Sequence, residues 1–131
     1  MHRIAATALF VSVISLLGGC AAREPLSRSA PFVHVVLFKA KTGSGEAASA
    51  EVIRDVQEIL APLPTVKGLW VGPPAPTNTR PIVDASYDVG LMILFEDQKG
   101  LQEYLDHPKH VEFAKKHDTQ CDVRVFDFTP R

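Results

Sequence analysis

Two cysteines in 131 residues, Cys20 and Cys121, are too few for a disulfide-stapled scaffold. Fourteen Lys and Arg against fifteen Asp and Glu leave a net charge of −1 with no basic stripe along any segment, which argues against a nucleic-acid binder. Repeats and low-complexity tracts are absent. The longest apolar stretch, Ile4 to Leu17, falls short of the roughly 20 residues a membrane span needs. There is one tryptophan, Trp70, and one asparagine, Asn78. Cys121, next to Asp122 and without a cationic neighbour, reads as an inert structural thiol.

What is present begins with a leader. His2 and Arg3 precede the apolar stretch, and Leu17-Gly18-Gly19-Cys20 closes it with small residues, the pattern of a secretory signal over 1–19. Small residues just ahead of a cysteine resemble the bacterial lipobox, in which that cysteine is acylated. The resemblance implies a mature chain starting at Cys20, held to a membrane by lipid and facing the periplasm. Ala21, in place of an aspartate, favours the outer membrane in a Gram-negative cell. Residues 20–31, polar and proline-containing, form a tether. The remainder, 32–131, is one domain's worth of chain.

Within it, Phe32 to Lys39 reads as a strand, and Lys41 to Glu46 as a loop. Val52, Val56, Ile59, Leu60 and Leu63 then fall at helical spacing, with Glu51, Arg54, Asp55 and Glu58 elsewhere on the wheel; Pro62 and Pro64 end that helix. Val66 to Val71 is a short strand, Gly72 to Asp84 a proline-rich loop, and Tyr87 to Phe95 the strongest strand. Asp97 caps a helix through Leu101, Tyr104 and Leu105; Pro108 starts another to about Lys116; Cys121 to Phe128 is the last strand.

The order β-α-β-β-α-β predicts an α+β, ferredoxin-like domain with an antiparallel four-stranded sheet and a second helix broken in two. Both sheet faces are apolar. If Val33, Val35 and Leu37 face the helices, Val36 and Phe38 point away, and Met92 and Leu94 likewise oppose Val89, Leu91, Ile93 and Phe95. The helices cover one face. A second copy of the chain is the expected cover for the other, giving a homodimeric α/β barrel.

The segments "HVVLFK" (34–39), "YDVGLMILFED" (87–97), "LQEYLDHPKHVEF" (101–113) and "VRVFDFTPR" (123–131) resemble the stress-responsive A/B barrel, or Dabb, family. That family implies dimeric ferredoxin-like barrels. One group within it, the plant olivetolic acid cyclases, closes a linear polyketide by aldol chemistry with a tyrosine and a histidine. Its motif falls on Tyr104 and His110 here, with His34 and His107 also matched. A protein outside the inner membrane does not meet coenzyme A thioesters, so that substrate class is not expected.

Three of the five histidines lie between Tyr104 and His117. His107 stands before the helix-starting proline, and His117 is seven residues past His110; this is not a known ligand frame, and neither a metal nor another cofactor is expected. Acid–base chemistry has better physics. His110 falls in the first helical turn, where the helix dipole disfavours a cation and keeps the imidazole able to accept a proton. Tyr104 is placed to donate to a carbonyl, and His34, on the second sheet face, to orient substrate or relay a proton. His107, Trp70, Phe38 and Met92 are expected to border the pocket. The bland alternatives stay open: His107 as a helix cap, Tyr104 and His34 as satisfied interior groups, Trp70 as core packing. Haem-degrading relatives use an Asn, Trp and His, but no asparagine lies on the first strand. The expected function is thus binding of a small, largely apolar or aromatic ligand, with a cofactor-free cyclase or isomerase, or a purely structural or stress-protective dimer, as alternatives.

Overall fold

The computed structural model describes residues 31–41, 45–76 and 80–130. The signal, Cys20, nearly all of the tether and Asn78 lie outside the described residues. Four strands, β1 (Phe32–Ala40), β2 (Gly68–Gly72), β3 (Val89–Phe95) and β4 (Cys121–Phe128), form one antiparallel sheet in the order β2-β3-β1-β4. Helix α1 (Gly45–Asp55) links β1 to β2, and α2 (Gln98–Leu105) with α3 (Pro108–Asp118) links β3 to β4. This is the expected ferredoxin-like plan.

β1 and β3 are the central strands, each paired on both edges, and outside His34 and Lys39 their side chains are apolar on both faces. Directly opposed residues share a face, so the ladder assigns the sides. His34 pairs with Ile93, Val36 with Leu91 and Phe38 with Val89; Ile93, Leu91 and Val89 are buried beneath the helices. The parity expected for β1 is therefore inverted. His34, Val36 and Phe38 face the helices, and Val35 and Leu37 face away with Met92 and Leu94. Alternation alone leaves this choice open on a strand apolar at both parities; pairing with β3 makes it.

Along α1 and the segment that follows it, the buried stripe is Ala48, Val52, Val56, Leu60 and Leu63, with Ile59 at its edge. After Asp55 the helix widens into a π turn, Val56–Leu60, closed by Ala61 N–H donating to the Val56 carbonyl at 2.9 Å. Its extra residue keeps Val56 and Leu60 on the core side before Pro62 stops the helix. Asp55, expected on the polar side of the wheel, is buried.

Among the described residues, no helix covers the second sheet face. Trp70, opposite Met92, is 55% exposed and folds its indole over Gly68, where a Cβ would meet Cη2 at 3.0 Å. Trp70 is thus not core packing. Met92 (37% exposed), Phe126 and Phe128 extend the same apolar surface. Cys121 is buried, and burial pushes its thiol pKa up, as suits a structural thiol.

Candidate active site

Asp97 begins α2, its carboxylate accepting from Gly100 N–H at 2.8 Å, and the helix sets Tyr104 against the sheet. Leu105 ends it. His107 then adopts an extended backbone (φ −66°, ψ 131°) and its Nδ1 accepts from Lys109 N–H at 3.2 Å, the N-cap of α3. Pro108 supplies the first turn without needing a donor. This break turns the chain so that His110, one turn on, returns to Tyr104: their ring centroids lie 4.5 Å apart. His110 Nδ1–H donates to the Leu105 carbonyl at 3.1 Å, which leaves the lone pair of the neutral ring on Nε2.

His34 approaches from β1. Its ring lies 6.1 Å from that of Tyr104, and Nδ1–H donates to Asp127 Oδ1 on β4 at 2.7 Å. His34, Tyr104 and His110 together line one cavity of about 170 Å³ between the sheet and α2/α3, walled mainly by Val36, Phe38, Leu91, Phe113 and Val125. Among the described residues, the Tyr104 hydroxyl and the Nε2 atoms of His34 and His110 have no hydrogen-bond partner.

Burial lowers the pKa of His110, outweighing the carbonyl of Leu105, which acts the other way; the neighbouring His34 adds to the lowering. The ring therefore stays neutral and basic, though desolvation rather than the helix dipole leads the causes. Burial also raises the pKa of Tyr104, so its hydroxyl remains a donor. A neutral base beside a protonated phenol, in an apolar hollow, is equipped to take a proton from carbon and donate to the oxygen that becomes negative.

Of the other expected pocket residues, Phe38 reaches the cavity. Trp70 and Met92 do not: they border a shallow hollow on the opposite sheet face with Val35 and Leu37. His107 is a cap, set aside by the turn that aims His110. The cavity belongs to one chain, on the helix side, so no second copy is needed to enclose the imidazoles. Asp127 and the Leu105 carbonyl, which fix the two rings, were not singled out by sequence; the cross-strand register reveals the first. Among the described residues, no three His, Cys, Asp or Glu groups are placed to share a metal ion.

The family model described as the stress responsive A/B barrel domain, Dabb, matches residues 32–130. Olivetolic acid cyclase from Cannabis sativa is 24% identical over 99 residues, covering 75% of this chain and 95% of that protein. A hydroxynitrile lyase from Passiflora edulis superimposes with a TM-score of 0.67 at 16% identity, over 79% of this chain and 95% of the other. A dimeric ferredoxin-like protein from Thermobifida fusca gives 0.63 at 18%, over 79% and 93%. With its whole folded domain matched, the chain belongs to the stress-responsive A/B barrel family.

Proposed function

We propose that the protein is a cofactor-independent acid–base enzyme acting on a small, largely apolar carbonyl compound. His110 Nε2 takes the proton from the carbon α to the carbonyl, and the C–H electron pair moves into an enolate. Tyr104 O–H donates to the enolate oxygen. The imidazolium then returns the proton elsewhere on the molecule in an isomerisation, or to the oxygen of a second carbonyl attacked by the enolate carbon in an aldol closure. His34, oriented by Asp127, serves that second proton position. The observation that carries this reading is the convergence of three side chains with unpartnered polar atoms on one apolar cavity.

The cyclase relative supports the reading by the chemistry its name describes. The lyase shares the fold alone, and one fold hosts many reactions, so the site argues the case. The decisive experiment follows hydrogen–deuterium exchange at the α-carbon of a panel of small aromatic and aliphatic ketones in D2O. Exchange by the wild-type chain that is lost in His110→Ala is the expected result. Exchange untouched by that substitution, or none in the wild type, refutes the assignment. Binding without turnover uses the same cavity, and would appear as retained binding with no exchange.

The apolar second face supports a homodimer formed through the sheet, in keeping with the dimeric neighbour from Thermobifida fusca. The Leu17-Gly18-Gly19-Cys20 sequence supports lipid attachment at Cys20 and a position in the cell envelope, facing the periplasm. A Cys20→Ser chain should leave the membrane fraction; one that stays there counts against the anchor.

A further inference from the structure

Val36, Phe38, Leu91, Phe113 and Val125 make most of the wall around His34, Tyr104 and His110, and the space they leave is about 170 Å³. An apolar cavity of roughly 150 Å³ takes up one benzene molecule. At the packing density of a protein interior, about 0.75, the space here accepts roughly 130 Å³ of molecule. A benzene-sized ring with a short carbonyl side chain meets that limit, and two fused rings exceed it.

The sheet side of the wall is fixed by the strand ladder. On the helix side the bulk comes from Phe113, which stands one turn past His110 on α3, so that both side chains reach the same cavity. The Phe113 side chain is buried. Its ring meets Phe38 of β1 edge-on, with centroids 6.3 Å apart and planes at 86°, and lies 4.4 Å from the ring of His117 on its own helix. His117 is itself held: its Nε2 is 3.0 Å from Asp55 Oδ2, and the same oxygen receives Lys116 Nζ at 2.7 Å. Lys116 also pairs with Glu51 at 2.7 Å. Packed against Phe38 and against an anchored imidazole, Phe113 cannot swing aside for a larger molecule without displacing the core.

We infer that Phe113 sets ligand size in this cavity, and that the ligand class is a carbonyl compound whose apolar body has the bulk of a single six-membered ring. The carbonyl rests on the acid–base reading; the size limit does not. An aromatic ring suits the wall further, since Phe38 and Phe113 offer it edge and face contacts, and a ring gives up less internal freedom on binding than a linear chain of equal volume.

The probes are acetophenone and 2-acetonaphthone, which carry the same methyl ketone on one ring and on two fused rings. Binding to the full chain is measured by calorimetry, and exchange of the methyl protons in D2O by NMR. The wild-type chain should hold acetophenone about 10-fold more tightly or better, although apolar area alone favours the naphthyl ketone. Phe113→Ala should abolish or reverse that order by opening the wall. Phe113→Leu keeps a branched apolar side chain in the core, so it preserves the fold should alanine lose it, and it should narrow the preference several-fold. An equal or stronger hold on 2-acetonaphthone in the wild type, a preference unchanged in a folded Phe113 variant, or failure to bind either ketone overturns the inference. Exchange at equal rates on both ketones keeps the enzyme and removes the size limit. Size selection in binding without exchange keeps the limit and removes the enzyme.

Discussion

His34 and Asp127 meet side chain to side chain at 2.7 Å, ninety-three residues apart in sequence and directly opposite in the β1–β4 ladder. The carboxylate accepts from Nδ1–H and so turns Nε2 into the free nitrogen of the ring. The imidazole is buried and lines the cavity, while the carboxylate is partly open to solvent. Asp127→Ala should leave the fold intact but free the ring to rotate and change tautomer. Turnover of an exchanging ketone should drop about 10- to 100-fold, chiefly in kcat. An unchanged rate would assign His34 a packing role only.

His110 sets the acid limb of any activity. As a base it must be neutral, and burial holds its pKa below the ordinary 6.5. The profile of kcat/KM should therefore fall only below pH 6.5, at a lower pH than a free imidazole would give. Substitution by alanine should cost about 100- to 10,000-fold. The same shift affects stability. With the folded-state value depressed, the contribution is complete above pH 6.5 and is lost as pH falls through the folded value. An acid limb at or above 6.5 would show that another group controls the reaction.

How far the site was legible in the sequence follows from which interactions are local. The proline after His107 announces a helix start, so His110 in a first turn and His107 as its cap are readable from four residues. Capping by Asp97 and the strand–helix order are local as well. The face of β1 is not: Phe32 to Lys39 is apolar at both parities, and only pairing with Leu91 and Ile93 decides that His34 looks toward the helices. Trp70 and Met92 were expected near the ligand for the same reason, since a pocket imagined on the second face would have included them. Asp55 escaped because its charge was read before its position: three residues past Val52 and seven past Ala48, it stands at the edge of the buried stripe of α1. Its partners, Lys116 and His117, lie more than sixty residues on.

The Asp55 cluster carries a stability prediction. Its carboxylate joins α1 to α3 through Lys116 and His117, and its pKa is held below the ordinary 3.8. With the folded-state value lowered, the stabilisation is present above about pH 4 and disappears as pH falls through the folded value. Asp55→Asn should cost about 2–3 kcal/mol at pH 7 in urea unfolding, because a buried imidazole and a lysine lose the negative charge they share and one of the two accepting oxygens becomes a donor. The loss should shrink toward pH 3. No loss at pH 7 would mean that shape, not charge, is what the carboxylate supplies.

The bare sheet face makes the last prediction. Trp70, Met92, Phe126 and Phe128 are each about half covered by their own chain. Completing the burial of such side chains is worth on the order of 1 kcal/mol apiece, enough with the rest of the face to support association in the micromolar range. A lysine in place of Met92 would have to leave water to enter that contact, at a cost of several kcal/mol, and would weaken it by about three orders of magnitude or more. Met92→Lys should therefore run as a monomer by light scattering at concentrations where the wild type is a dimer. Its fold should be retained, since Met92 is outside the core. The cavity of His34, Tyr104 and His110 is built within one chain, so the monomer should also keep its ketone exchange. A wild-type chain that is monomeric at high micromolar concentration removes the dimer. A monomeric variant that has lost exchange means that the partner supports the cavity across the sheet, which nothing in the single-chain packing requires.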